Sequence, residues 1–395
     1  MVDSVTPSTV RIALAGGGTG GHLFPGLALA GEIRALGVEV LGLGPGREIE
    51  KKSAPKWHPI ASPRRPRSAG QFIRFPGRAA KAFLHSRKFL REQQIQAVVG
   101  LGGYGSLFPG LAAHSDGIPL YLLEQNAVPG RVTRLLARRA RAVYSCWEPA
   151  SLWLHTDARP LTLGNPIRSE ALGWSREDAN WKWGFRRDLR TLLIMGGSQG
   201  AEGLNRRILD CVQSTRVAEK YQVIHLTGPT LRGELQRAYG VAGIRARVLP
   251  FLDAIGSAYA AADLVLARAG GTTIAELAAR GLPSVLVPYP WSADGHQEAN
   301  ARQMEAAGAS WQVREEDLTP NTWFQLIRLL HDDEGRERLG RAAESRGRPD
   351  AGRRIAMDIL GDLGVPEGAT EPAETRSEEE RGVTMPSPAQ LQDAG

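Results

Sequence analysis

Residues 12–26 read I-A-L-A-G-G-G-T-G-G-H-L-F-P-G, an apolar run followed by glycines, a threonine and a histidine. Glycine permits close approach of the backbone to a ligand, and a helix that starts there presents free N–H groups and a partial positive charge. Such a turn suits phosphate groups, and Gly16, Gly18 and Gly21 match the G-x-G-x-x-G pattern of dinucleotide-binding proteins. Histidine ordinarily titrates near neutrality, so His22 is expected to be able to take a proton in a reaction.

If the turn bound a dinucleotide, the second strand should supply a further binding residue. A carboxylate should stand at its end, about 20 residues after the glycines, to bind ribose hydroxyls. The strand V-E-V-L-G-L-G-P-G carries no carboxylate where it ends at Leu43, and Glu48 lies beyond a Gly-Pro-Gly turn. No Lys-Ser or Lys-Thr follows the glycines, so a P-loop is excluded as well. The sequence therefore argues against an NAD-dependent dehydrogenase.

The elements that must position these residues follow a repeated scheme. Short apolar runs typical of β-strands alternate with helix-like stretches, such as residues 23–36 and 107–114, in two series joined near residues 164–168. Near-continuous apolar strands that alternate with helices indicate parallel sheets covered on both faces. We therefore predict an α/β fold of two Rossmann-like, doubly wound parallel-sheet domains that face a deep cleft.

Glycine-rich turns recur where a predicted strand ends and a helix begins. One such turn is a common tight connection, but four at equivalent places in two domains favour a binding role. Ligands of open α/β sheets bind outside the carboxyl ends of the strands, so a diphosphate between the domains is a natural ligand. The four turns occupy residues 16–21, 100–105, 196–200 and 270–271.

The domain boundaries follow from the same alternation and from composition. We expect an N-terminal domain at residues 8–166 and a C-terminal domain at residues 167–346. A helix at about residues 347–362 is expected to pack back onto the first domain. Residues 364–395 carry an acidic run among Pro, Ser and Ala, a composition that predicts a disordered tail.

Composition and charge limit the functional classes. Cys146 and Cys211 are the only cysteines and belong to no partner motif, so neither a disulfide framework nor a zinc site is expected. The long uncharged stretches contain glycines and a central proline, so no membrane span is predicted, and no signal peptide is evident. The net charge is +7, and residues 51–91 contain twelve Lys or Arg and no Asp or Glu.

A series of motifs carries a family resemblance. G-G-T-G-G-H-L-F-P-G-L-A-L-A at residues 17–30 is followed by L-E-Q-N at 123–126 and G-G-S-Q-G-A at 196–201. With the motifs given next, the chain resembles the bacterial N-acetylglucosaminyltransferases of peptidoglycan synthesis over roughly residues 10–362. These motifs are G-L-G-G-Y-G-S (100–106), G-N-P-I-R (164–168), F-L-D (251–253), R-A-G-G-T-T-I-A-E (268–276), G-L-P-S-V-L-V-P (281–288) and D-G-H-Q-E-A-N-A (294–301).

The resemblance implies the GT-B architecture and an inverting transfer. N-acetylglucosamine would pass from UDP-N-acetylglucosamine to the C4 hydroxyl of the muramoyl sugar of lipid I, which becomes lipid II. The UDP-sugar would bind the C-terminal domain and the acceptor the N-terminal domain, without a cofactor. The alternatives are a GT-B enzyme acting on another lipid such as diacylglycerol, a UDP-N-acetylglucosamine epimerase, and a membrane- or RNA-associated scaffold without activity.

The resemblance also implies which residues bind the substrates. Glu276 would accept both ribose hydroxyls, Leu252 would contact the uracil through its main chain, and Arg168 would lie close to the nucleotide. Gln297 and Asn126 would bind sugar hydroxyls, although Glu276 and Gln297 taken singly are typical of a polar helix surface. The other expected contacts come from the glycine turns and helix starts: Thr19, Gly20, Gly21, Ser198, Gln199, Gly271, Thr272 and Thr273.

The reaction requires a stabilised leaving diphosphate and a base. Backbone N–H groups of residues 17–21 and 196–200 are expected to stabilise the diphosphate. No Asp-x-Asp lies near the glycine turns, so no metal bound by protein carboxylates is expected. His22 is the first candidate for the base and Glu124 the second, while His22 could also simply pack the turn or bind a phosphate.

The basic segment suggests where the protein works. Because lipid I is anchored by a polyprenyl diphosphate, the resemblance implies a peripheral protein at the cytoplasmic face of the inner membrane. Residues 51–91 mix cations with aromatic and aliphatic side chains, which suits an anionic membrane surface at about 1 kcal/mol per cation. The alternatives are a solvated basic face and nucleic-acid binding. No RNA- or DNA-binding module accompanies the charge, so no nucleic acid is expected as partner.

Overall fold

The chain folds into two parallel β-sheets with helices on their faces. The computed structural model describes residues 10–63, 68–154, 159–197, 201–214 and 220–365. Ser198, Gln199 and nearly all of the tail expected at residues 364–395 lie outside this part of the chain.

Within the described residues, the amino-terminal sheet has seven strands: β1 (Arg11–Ala15), β2 (Glu39–Gly44), β3 (His58–Pro59), β4 (Ala97–Gly100), β5 (Leu120–Glu124), β6 (Ala142–Ser145) and β7 (Arg159–Thr162). They are parallel, in the order β3-β2-β1-β4-β5-β6-β7. Ala15, the last residue of β1, pairs with Leu43 on one side and Gly100 on the other. The turns that follow these three strands therefore meet at one edge of the sheet.

The second sheet has six strands in the part of the chain described: β8 (Arg190–Met195), β9 (Tyr221–Leu226), β10 (Arg245–Leu249), β11 (Leu264–Ala267), β12 (Ser284–Leu286) and β13 (Ser310–Gln312). Their order is β10-β9-β8-β11-β12-β13, again all parallel. Most of their apolar side chains are buried, as expected for strands covered on both faces. The predicted α/β class, with two parallel-sheet domains, is confirmed.

Helices cover both faces of each sheet. Among the described residues they are α1 (Gly20–Ala35), α2 (Glu48–Ser53), α3 (Ala69–Glu92), α4 (Tyr104–Ser115), α5 (Arg131–Ala137), α6 (Glu148–Ser151), α7 (Arg176–Trp183), α8 (Glu202–Ser214), α9 (Arg232–Val241), α10 (Gly256–Ala261), α11 (Gly271–Ala279), α12 (His296–Ala306), α13 (Pro320–His331), α14 (Asp333–Arg346) and α15 (Ala351–Asp362). None of them is long and apolar enough to cross a lipid bilayer.

Two apolar layers hold these helices on the amino-terminal sheet. Ile33 of α1 and Ile359 of α15 are buried in one layer, and Leu90 of α3, Ala112 of α4 and Leu136 of α5 in the other. Helix α15 thus packs on the first sheet although it follows the second in the chain.

Tyrosines beneath α15 add polar bonds to this packing. The Tyr144 hydroxyl donates to Asp358 across 2.7 Å, and the Tyr121 hydroxyl donates to Asp362. Both acceptors lie on α15, so the helix is joined to β5 and β6 by hydrogen bonds as well as by apolar contacts.

The start of α1 differs from the sequence-based expectation. The helix begins at Gly20 rather than at residue 23, and it contains Pro25. Proline has no N–H, so the carbonyl of Gly21 loses its intrahelical donor. That carbonyl instead accepts the hydroxyl of Thr272, at 3.0 Å, from the start of α11. The proline thus leaves an acceptor open where the two domains meet.

Candidate active site

The carboxyl ends of the two sheets enclose a cleft of about 1000 Å³. Thirteen residues were assigned to substrate binding and His22 was named as first candidate base; twelve of these fourteen line this cleft, and they come from both domains. The remaining two, Ser198 and Gln199, lie outside the described residues. Elements distant in sequence therefore converge on one site.

The glycine turn after β1 forms the amino-terminal wall. Gly17 and Gly18 have φ angles of +105° and +85°, a backbone region that only glycine adopts at little cost. The N–H of Gly18 donates to the carboxylate of Glu50, at 2.5 Å, and the carbonyl of Gly18 accepts from Arg47, at 2.8 Å. Glu50 is buried, and the sequence did not reveal it, because it lies 32 residues further along the chain.

This arrangement corrects the phosphate-binding expectation for residues 17–21. The amide of Gly18 is engaged by an internal carboxylate and is not available to a diphosphate. Gly20 and Gly21 stand at the first positions of α1, where backbone N–H groups have no intrahelical partner. The amino-terminal wall therefore offers the helix start, not the whole turn, to an anion.

His22 lies on the first turn of α1 and faces the cleft. Its Nδ1 is 3.1 Å from the hydroxyl of Thr19. The imidazole packs against the turn that follows β4: a Cβ atom on Gly102 would come within 3.0 Å of the ring. Enclosure by the cleft walls, and to a lesser extent the positive charge of His296, lower the pKa of His22 to about 4. His22 is therefore neutral at pH 7 and can accept a proton.

Glu124, the second candidate base, lies below the cleft surface. Its carboxylate accepts the N–H groups of Asn126 and Gly130 at 3.1 and 3.0 Å, and burial raises its pKa. Asn126 itself reaches the cleft, where its side chain donates to Glu124 and accepts from Asn300. Glu124 thus shapes the L-E-Q-N loop that presents Asn126.

Glu276 lies at the bottom of the cleft wall that the carboxyl-terminal domain forms. It is buried on α11, and its Oε2 accepts the hydroxyl of Tyr259 at 2.7 Å. Burial raises the pKa of Glu276, while Tyr259 and the nearby Arg168 partly offset that increase. No described residue bonds Oε1, which therefore remains for hydroxyl donors of a ligand.

Arg168 links the interdomain segment to this wall. Its guanidinium carbon lies 4.2 Å from the centroid of the Phe24 ring, and its buried Nε has no partner among the described residues. Because an unpaired buried donor is costly, a bound anion or carbonyl would satisfy this group.

Gln297 and Leu252 complete the predicted donor side. The Oε1 atom of Gln297 accepts the N–H of Tyr289 at 2.9 Å, and the amide nitrogen of this cleft-lining residue has no partner among the described residues. Leu252 follows β10 and lines the cleft together with Phe251. Gly271, Thr272 and Thr273 lie at the start of α11 as expected.

Aromatic and charged groups that the sequence did not single out also line the cleft. Trp291, which is 81% exposed, lines the cleft from the carboxyl-terminal domain, and Tyr104 lines it from the opposite domain. Arg268, buried at the end of β11, donates to the carbonyls of Val287 and Pro288 and pairs with Glu315. Tyr104 and Arg268 stand inside motifs that carry the family resemblance, whereas Trp291 lies outside them.

Direct contacts hold the two walls together. A Cβ atom on Gly271 would lie 2.2 Å from the carbonyl oxygen of Gln125, so α11 and the L-E-Q-N loop pack backbone to backbone. The side chain of Asn300 accepts the N–H of Ala127 at 2.8 Å. Near the mouth, Asp294 accepts from arginines of α5, with Arg131 at 2.8 Å.

No cluster of three or more metal-ligating side chains occurs in the described part of the chain. The polar groups that line the cleft are amides, hydroxyls, two imidazoles, several carboxylates and arginines, a set suited to a nucleotide and to sugar hydroxyls.

Comparison with known proteins gives consistent relationships. The Glycosyltransferase family 28 N-terminal domain matches residues 12–145, and the family's C-terminal domain matches residues 191–354. A UDP-N-acetylglucosamine--N-acetylmuramyl-(pentapeptide) pyrophosphoryl-undecaprenol N-acetylglucosamine transferase of Acidithiobacillus ferrooxidans is 40% identical over 357 residues, covering 88% of this chain and 97% of that protein. The protein of the same name from Geotalea daltonii is 37% identical, covering 89% and 98%.

Solved structures agree with these relationships. The crystal structure of Acinetobacter baumannii MurG superposes with a TM-score of 0.71 and 27% identity, covering 89% of this chain and 99% of that one. A UDP-GlcNAc 2-epimerase of Neisseria meningitidis has a TM-score of 0.63 at 14% identity and shares the fold alone, with 90% of this chain and 100% of that one covered.

Proposed function

Since this chain belongs to glycosyltransferase family 28, we propose that it transfers N-acetylglucosamine from UDP-N-acetylglucosamine to lipid I and so forms lipid II. The C4 hydroxyl oxygen of the muramoyl sugar bonds to the anomeric carbon while the bond from that carbon to UDP breaks. The configuration inverts, and the hydroxyl proton passes to a base. The convergence of both domains on one cleft carries this proposal.

His22 is the base in this proposal. With Nδ1 beside Thr19, the Nε2 atom is the nitrogen left to receive the proton. The lowered pKa keeps the imidazole neutral before the reaction. Glu124 is a weaker candidate because backbone N–H groups already occupy its carboxylate below the surface.

The departing UDP gains negative charge as the glycosidic bond breaks, and fixed donors stabilise that charge. The start of α11 at Gly271 and the start of α1 at Gly20 both direct free N–H groups into the cleft. Arg168 adds a cation with an unsatisfied Nε. In this proposal these groups supply the stabilisation of the leaving diphosphate.

Donor recognition falls to the carboxyl-terminal wall. The free Oε1 of Glu276 accepts ribose hydroxyls, and the internal bond to Tyr259 holds the carboxylate in place. Leu252 offers its main chain to the uracil, and the amide nitrogen of Gln297 donates to a hydroxyl of the transferred sugar. Asn126 approaches the sugar from the opposite wall.

The test measures UDP release from UDP-N-acetylglucosamine with a lipid I analogue, with diacylglycerol, or with no acceptor. We expect UDP release with the lipid I analogue but not with diacylglycerol or without an acceptor, together with a β-linked disaccharide product. Release with diacylglycerol but not with the analogue would overturn the assigned acceptor. Conversion of the donor sugar to its epimer without an acceptor would instead establish an epimerase.

Helix α3 is the surface that we propose for membrane contact. Its cations divide into two groups. In the first, Arg87 and Arg91 pair with Asp116 at 2.7 and 2.8 Å, and Lys88 pairs with Glu92 at 3.6 Å. The other group, which we call the α3 cation set, is exposed and forms no ion pair with any described residue, and it consists of Arg74, Arg78 and Lys81.

The α3 cation set is arranged along one side of the helix, at positions i, i+4 and i+7. Ile73 and Leu84 are 82% and 59% exposed, and because they are three helical turns apart they lie along a neighbouring stripe. Exposed apolar side chains beside unpaired cations suit an anionic lipid surface. We therefore propose that the protein acts peripherally at the cytoplasmic face of the inner membrane, where lipid I would be available.

A further inference from the structure

The glycine turn after β1 needs external restraint. Gly17 and Gly18 follow one another at positive φ, and glycine has more conformational freedom to lose than any other residue. A turn of this composition does not hold its own shape. Yet it leads directly into Thr19 and His22, whose positions the proposed reaction depends on.

A buried side-chain pair supplies that restraint. Glu50 Oε1 accepts the N–H of Gly18 and Glu50 Oε2 accepts the N–H of Arg47, at 2.5 and 2.9 Å. The Arg47 guanidinium in turn donates to the carbonyl of Gly18 at 2.8 Å. Both polar groups of Gly18 are therefore bonded to side chains that belong to a different element.

The surrounding backbone makes room for this carboxylate. A Cβ atom on Gly17 would lie 2.5 Å from Glu50 Oε1, and one on Gly44 would lie 3.0 Å from Oε2. Glu50 is only 3% exposed. The carboxylate thus occupies a pocket whose walls are glycines from the ends of β1 and β2.

We propose that Glu50 and Arg47 are positioning residues for catalysis, which hold the glycine turn so that His22 faces the acceptor hydroxyl. The restraint passes from Gly18 to the adjacent Thr19 and from its hydroxyl to the imidazole. This inference rests on the proposed role of His22. The same carboxylate already accepts the N–H of Gly18, so this amide of the G-x-G-x-x-G pattern is closed to a phosphate.

Kinetics test the proposal through Glu50→Ala and Arg47→Met. Displacement of a catalytic group by about 1 Å costs about 100-fold in rate, so we expect kcat to fall about 10- to 100-fold in Glu50→Ala and less in Arg47→Met. The KM for UDP-N-acetylglucosamine should stay within about twofold, because Glu276 lies on the other wall. Because Arg47 is only half-buried, Arg47→Met should fold even if Glu50→Ala does not, and it then tests the proposal by itself.

Asp263→Ala is the matched control. This buried carboxylate likewise accepts a backbone N–H, from Thr191 at 2.7 Å, and an arginine, Arg176 at 2.8 Å, but it lies outside the cleft. We expect Asp263→Ala to lower Tm while kcat per folded enzyme is unchanged. An equal loss of kcat in the control would assign the effect of Glu50 to stability alone.

Titration of the His22 imidazole by NMR separates this inference from the proposed function. In the unaltered protein we expect a pKa near 4, and in Glu50→Ala a rise toward 6.5 as the turn loosens and water enters. Arg47→Met should show a smaller rise and Asp263→Ala none. An unchanged titration in folded Glu50→Ala and Arg47→Met would overturn the positioning role. Wild-type kcat in His22→Ala would refute the assigned base, while the titration still decides the role of Glu50.

Discussion

Gly271 is the residue through which closure of the cleft can be tested most directly. A Cβ atom at this position would lie 2.2 Å from the carbonyl oxygen of Gln125 and 2.9 Å from its carbonyl carbon. Because these are backbone atoms in a loop bonded to Glu124, they cannot turn aside as a flexible side chain would. An ordinary contact of about 3.4 Å therefore requires the two walls to separate by about 1 Å.

That separation has a calculable consequence for neighbouring bonds. The hydrogen bond from Thr272 to Gly21 is 3.0 Å long and the bond from Ala127 to Asn300 is 2.8 Å long. An added 1 Å takes both beyond about 3.5 Å, where a hydrogen bond is lost. The donor sugar on one wall moves away from His22 on the other, and a misplacement of about 1 Å costs about 100-fold in kcat.

The assay compares Gly271→Ala with Gly270→Ala in UDP release with a lipid I analogue. At Gly270 the nearest atom to an added Cβ is the Thr273 hydroxyl oxygen, 3.8 Å away, and its φ of −71° suits alanine. We expect kcat to fall about 100-fold in the first variant and to stay within about twofold in the second. Wild-type kcat in folded Gly271→Ala would refute the requirement for this closure, and equal losses in both variants would refute the steric reasoning.

Further predictions concern the donor, pH and the membrane. Glu276→Ala should raise the KM for UDP-N-acetylglucosamine at least about tenfold in steady-state kinetics, because a hydrogen bond to a charged group contributes about 1.5–3 kcal/mol. The pKa of His22 is about 4 when folded and about 6.5 when unfolded. The unfolded state therefore binds the proton first as pH falls, and urea unfolding should show a free energy of unfolding about 2 kcal/mol lower at pH 5 than at pH 7 from this group. Replacing the α3 cation set by Gln should weaken binding to anionic liposomes, more at low salt than at high salt.

For each of these predictions, a specific result would contradict it. An unchanged donor KM would remove Glu276 from the ribose. His22→Asn should lose the part of the pH dependence of the free energy of unfolding that comes from this imidazole. If that free energy changes with pH as much as in the unaltered protein, the lowered pKa of His22 is refuted. Liposome binding that is the same at every ionic strength would refute electrostatic attachment, and Gln at the paired cations Arg87 and Arg91 should have the smaller effect on binding.

The fold class was predictable because its signals are local. A buried strand is a short apolar run, and a turn that leads from a strand into a helix shows itself by its glycines. The alternation of these signals placed four turns at the ends of parallel strands, and the motifs around Glu276 and His22 then indicated the family, which its relatives confirm.

Other features depended on residues far apart in the chain. The sequence suggested that α1 starts at residue 23, but the helix begins at Gly20, and Thr272 of the other domain accommodates the carbonyl that Pro25 leaves open. No periodicity could reveal that bond, because its partners are 251 residues apart.

The glycine-rich turn at residues 16–21 shows the same difference between what neighbouring residues predict and what distant residues decide. Residue types and spacing predicted a phosphate-suited turn, which the structure narrows to the start of α1, and argued against a dehydrogenase, since both arguments use residues of two consecutive strands. The folded chain brings Glu50 onto Gly18 and Gly271 against Gln125, and this determines which amides remain free and where His22 faces. Such assignments follow from distances in space, because burial and hydrogen bonding depend on whatever segment arrives nearby, however remote it is in sequence.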